Sequence, residues 1–156
     1  MAARNWMWIG KYLVVIAAAL VLGAVLGTLG LFKSATLGTP KLTAGALVQF
    51  TAHGGALTLV WLLGQRLAGQ LRKIGGGTAS IAGIALSLTT LIVVACAYVV
   101  LLQFIAPFVG TGLKTIIDWA FILGIIAAAA WLIWALFTNS EALMEAIGKA
   151  IASRKK

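Results

Sequence analysis

Four apolar runs, each long enough to cross a bilayer as a helix, occupy most of this sequence: residues 12–32, 43–63, 78–106 and 115–137. About 20 helical residues cover the ~30 Å of hydrocarbon in a membrane, and every backbone N–H and C=O is then satisfied within the helix itself. Water offers no comparable solution. Of the 156 residues, 62% are hydrophobic and 10% charged, against roughly 25% charged in an ordinary soluble domain. The fold class implied is all-α: an integral membrane four-helix bundle. The first run is too long for a signal peptide, whose apolar region spans roughly 7 to 15 residues, so it reads as a retained span.

The punctuation between the runs is explicit. Gly38, Thr39 and Pro40 mark the turn into the second span. Beyond residue 63, Leu63, Leu67, Leu71 and Ile74 recur at spacings of four and three with Arg66, Arg72 and Lys73 elsewhere on the wheel. That pattern predicts an interfacial amphipathic extension, stopped by Gly75, Gly76 and Gly77. Pro107, Gly110 and Gly112 end the third span. After Phe137, Thr138 and Glu141 have the spacing of a capping box, which predicts a separate C-terminal interfacial amphipathic helix and basic tail over 138–156. Two units follow, the transmembrane bundle at 1–137 and the amphipathic segment at 138–156. Each half of the chain is thus a hairpin followed by a basic amphipathic segment, without residue-by-residue identity that would establish duplication.

The net charge of +9 is confined to short clusters between the runs. With no domain left to present a basic face, nucleic acid is excluded as a partner in favour of a bilayer with anionic headgroups. Arg4, Lys11, Arg66, Arg72, Lys73, Lys149, Arg154, Lys155 and Lys156 fall on one side of the membrane, and only Lys33, Lys41 and Lys114 on the other. The positive-inside rule assigns the first side to the cytoplasm, so both termini are expected there, in a multi-pass protein of a bacterial inner membrane. Trp6, Trp8, Trp61 and Trp134 fall at the expected cytoplasmic ends and Trp119 at an outer end, as an aromatic belt requires.

Few residues offer chemistry. His53, the single histidine, falls near the middle of the second span, on a wheel face shared with Gly45, Ala46, Gln49, Ala56 and Gly64. That small, polar stripe is expected to point into the bundle, with Gln49 bonding His53 or a partner helix. A histidine at this depth suits a haem ligand, a quinone contact or a proton carrier. The plainer expectation is a neutral ring satisfied by Ser, Thr or Gln of a neighbouring helix, because the chain has no second histidine for a haem and Met7 and Met144 lie near helix ends. Asp118, the single acid in or near a span, reads as a helix-end carboxylate beside Lys114 at the outer interface, with a transporter relay as the sharper alternative.

Small residues carry the packing signal: Ala19, Gly23 and Gly27 in the first span, Ala79, Gly83 and Ser87 in the third, and Gly124 with Ala128 in the fourth. Such stripes let backbones approach closely. The glycines at 75–77 lack the Lys and hydroxyl of a phosphate loop. One Cys, one His and three acids assemble no catalytic constellation and no metal site, so neither catalysis nor a cofactor is expected. The function expected is a non-catalytic accessory or assembly subunit that packs against other membrane subunits or its own copies. The rival classes are a small transporter or channel, a haem or quinone module using His53, and a pore-forming lesion protein.

Overall fold

A computed structural model describes residues 7–38, 42–75, 77–141 and 144. The main elements are α1 (Met7–Thr28), α2 (Gly30–Ser34), a two-residue ladder of β1 (Thr36–Leu37) and β2 (Leu42–Thr43), α3 (Ala44–Ile74), α4 (Gly77–Ile105) and α5 (Thr111–Thr138). The four long helices are each long and apolar enough to cross a membrane. The chain is a multi-pass helical membrane protein.

Helix ends depart from the sequence expectation for local reasons. α1 stops at Thr28, short of residue 32, where Leu29 turns extended (φ −62°, ψ 137°). Gly27, Thr28 and Gly30 are weak helix formers, and the Thr28 hydroxyl donates back to the Val25 carbonyl at 2.8 Å. The expected turn at Gly38, Thr39 and Pro40 is bracketed by a small antiparallel ladder, Thr36 opposite Thr43 and Leu37 opposite Leu42. Gly38 has φ +72°, a backbone state that favours glycine. Pro40 lies outside the described residues. Thr43 caps α3 by accepting from the Ala46 N–H at 3.1 Å.

α3 then runs unbroken for 31 residues, about 46 Å at 1.5 Å per residue, more than the hydrocarbon needs. It ends at Gly75, whose N–H turns back to the Arg72 carbonyl and whose φ of +75° then takes the chain out of the helix. α4 closes as expected before Pro107. α5 begins at Thr111, four residues ahead of the expected 115, so its first turn holds no acid.

The capping box at Thr138 is not formed. The Thr138 hydroxyl donates backward to the Trp134 carbonyl at 2.9 Å, and the Asn139 amide donates to the Ala135 carbonyl at 2.7 Å. The last four carbonyls of α5, those of residues 135–138, lack regular helical partners, and the Asn139 amide supplies a donor to the first of them. Of the amphipathic helix expected over 138–156, Thr138 is the last residue of α5, and apart from Asn139, Ser140, Glu141 and Met144 the rest falls outside the described residues.

The helices do not close into a compact bundle. They form an antiparallel row, α1 on α3, α3 on α4 and α4 on α5, in which α1 and α5 hardly meet. Contact faces on α3 and α4 make the row a zigzag. One groove opens between α1 and α4 with α3 as its floor, lined by Ile16, Leu20, His53, Val60, Cys96 and Val99. Another opens between α3 and α5 over α4, lined in part by Gly54, Trp61, Val94 and Phe121. By helix geometry the two grooves are on opposite faces.

What lies inside the row is small: Ala56, Ala68, Ala82, Ala128, Ala135 and Ser87 among residues with side chains, with Gly23, Gly27, Gly45 and Gly64. Lipid tails are as apolar as leucine, so nothing is gained by hiding large side chains between helices. Close van der Waals approach of backbones holds the row together instead. A Cβ built on Gly45 would stand 3.0 Å from the Gly27 carbonyl oxygen. Leu13, Val14, Ile126, Ile133 and many others face outward.

Candidate functional site

Helices α3 and α4 carry Gln49, His53 and Gln103, polar residues rare in the apolar runs. Nine residues into α3, about 14 Å along its axis, the His53 ring lies at the wall shared by two cavities. One is a small polar pocket of about 50 Å³ lined by Gln49, Phe50, His53, Gln103 and Phe104. The other is the apolar groove of about 360 Å³ between α1 and α4. Phe50 and Phe104 stack at 4.1 Å between centroids and close one side of the polar pocket.

His53 Nδ1 lies 2.7 Å from the Gln49 carbonyl oxygen, one turn earlier. A carbonyl can only accept, so Nδ1 carries the proton, and in the neutral ring Nε2 keeps a lone pair. The expectation that a neighbouring helix would satisfy the ring is corrected here. The Thr51, Thr58, Thr89 and Thr90 hydroxyls donate to carbonyls of their own helices, and the Gln49 side chain lies against Gly27. The histidine's own helix supplies what its neighbours do not, and the ring stays exposed on the α3 surface.

The wheel face that predicted an inward His53 divides in two. Gly45, Ala56 and Gly64 are buried, whereas Gln49 and His53 are exposed at the groove. The reason is the row: α1 and α4 meet α3 on different sides, and the groove between them leaves part of the stripe uncovered. Gln103, near the end of α4, completes the polar pocket and was not singled out from the sequence. Its only signal was a carboxamide next to Phe104 in an apolar run.

Asp118 is placed elsewhere and in another role than expected. Because α5 starts early, Asp118 is in its second turn, half-buried against α4, and it accepts the Tyr98 hydroxyl at 3.0 Å. The Tyr98 ring packs on Phe121 at 5.3 Å. Lys114, the expected partner, is exposed. Tyr98 was legible only as a phenol whose hydroxyl needs a partner inside an apolar run.

Among the packing residues, Gly23 and Gly27 are buried against α3 and Ala19 lines the edge of the same contact. Ser87 is fully buried, donating to the Ile84 carbonyl at 3.0 Å. Gly83 faces the Asn139 amide at 3.9 Å from its built Cβ, and Ala79 is half-buried. Cys96, the single cysteine, is exposed on the groove wall, because the row leaves that side of α4 open.

Among the described residues no group of His, Cys, Asp and Glu could hold a metal ion. What the arrangement offers is recognition: a lone pair at Nε2 and two carboxamides on one open face at membrane depth. No known protein family, no curated protein and no solved structure matches this chain.

Proposed function

We propose that this protein is a non-catalytic accessory or assembly subunit of a larger membrane complex, with a partner helix seated in the groove between α1 and α4. The observation that carries the reading is the open polar face of Gln49, His53 and Gln103. Polar groups facing hydrocarbon are costly, and a hydroxyl or carboxamide donor from another helix, or from a second copy of the chain, would meet the free Nε2. The apolar wall of Ile16, Leu20 and Val99 gives the same helix a seat.

In this reading the protein is oriented by its cations, with both termini in the cytoplasm of a bacterial inner membrane.

The test is the double variant His53→Leu/Gln103→Leu. Both positions are exposed, so apolar replacement leaves the fold intact. Expected is at least a tenfold loss of stoichiometric partner subunits from the complex isolated in mild detergent, with the variant chain still monodisperse. The reading fails if the unmodified protein migrates alone and its deletion leaves the composition of every isolated membrane complex unchanged.

A further inference from the structure

A second site lies at the end of the row that holds Met7, Ile74 and Thr138. Trp8 of α1 and Arg66, Gly69, Gln70 and Lys73 of α3 line a cavity of about 380 Å³. Arg66, Gln70 and Lys73 are spaced four and three apart, so they descend one face of α3 over two helical turns. The deepest of them is fixed: the Arg66 guanidinium carbon stands 5.4 Å from the centre of the Tyr12 ring, a cation–π contact between α3 and α1. Gly69 opens the cavity, since a Cβ built there meets nothing within 4 Å.

We infer that this cavity binds the phosphate-bearing headgroup of an anionic phospholipid. The chemistry is complementary throughout: a guanidinium at the bottom, a carboxamide donor above it and an ammonium at the rim, beside an indole of the kind that sits at headgroup level. Among the described residues, the acid at this end of the row is Glu141, just past α5, on the far side of α3 and α4 from the cavity. Acyl chains of the same lipid continue down the apolar flank of α1, where Leu13 and Val14 face outward. The site is independent of the groove that holds His53.

The purified full-length chain in mild detergent is titrated with short-chain phosphatidylglycerol, phosphatidylcholine or inorganic phosphate, and adducts are counted by native mass spectrometry. One saturable phosphatidylglycerol adduct is expected, at least tenfold tighter than phosphatidylcholine. The double variant Arg66→Gln/Lys73→Gln should weaken it about twenty-five-fold, the product of roughly fivefold for each cation near an anionic headgroup.

Gly69→Leu keeps every charge, favours helix, and fills the cavity, so it should weaken the adduct at least tenfold. Arg72→Gln removes an exposed cation that does not line the cavity and should leave it unchanged. Equal binding of the two lipids overturns the proposal, as does full binding by Gly69→Leu or an Arg72→Gln loss as large as that of the double variant. Inorganic phosphate binding as tightly as the lipid overturns the lipid as its source. Unchanged helix content in each variant assigns the losses to the site.

Discussion

Gly23→Ala is expected to destabilise the protein by about 1–3 kcal/mol, the range for forcing extra atoms into a close-packed seam. The new Cβ would run into the Ala52 Cβ across the contact of α1 with α3. An alanine methyl has no rotamer to move to, so only separation of the two helices relieves the clash, and that separation weakens dispersion contacts along the whole seam. Gly10→Ala on the same helix is the control: nothing lies within 4 Å of its built Cβ, and alanine is the better helix former. The readout is reversible unfolding in mixed detergent micelles followed by circular dichroism. If Gly23→Ala unfolds no earlier than Gly10→Ala, the α1–α3 seam is not where the stability of the row resides.

The same seam marks what was legible in the sequence. The number and order of spans could be read because lipid demands long apolar runs and little else produces them. Their ends were less readable, since each is decided by one local partner: the Thr43 hydroxyl starts α3, and Thr138 and Asn139 finish α5 by bonding backward. A capping box and a backward-bonding pair have the same residues. Which is formed depends on whether the preceding carbonyls need donors.

Lateral order was hidden for a different reason. A soluble helix shows its buried face as an apolar stripe, but a helix apolar all round gives no such sign, and only small residues distinguish neighbour from lipid. Gly23 and Gly27 marked a packing face of α1 without saying which helix meets it, while Ala82, fully buried in α4, is one alanine among many. His53 and Gln49 stood out as polar residues at membrane depth. Their exposure did not, because it follows from α1 and α4 standing apart across α3. Gln103 and Tyr98 passed unnoticed in the sequence, since each acquires its meaning from a residue on another helix.

Tyr98→Phe should loosen α5 selectively, by about 1–2 kcal/mol, because it strips the half-buried Asp118 of its hydroxyl donor. Among the described residues α5 packs chiefly on α4, so little of the loss can be shared with another seam. Asp118→Leu leaves the phenol unpartnered and should cost a similar amount. Removing both together leaves no orphaned group, so the double variant should be less destabilised than the sum by about 1 kcal/mol. Asp118→Asn keeps a carbonyl acceptor for Tyr98 and should retain most of the stability. Hydrogen exchange resolved by helix is the measurement: α5 amides should exchange faster in Tyr98→Phe while those of α1 and α3 do not. Additive losses, or faster exchange spread evenly over all four helices, would show that the bond does not hold α5 in place. A carboxylate whose acidity is used to move an ion would behave differently again, since Asp118→Asn would then abolish flux in reconstituted vesicles while leaving α5 as protected as before.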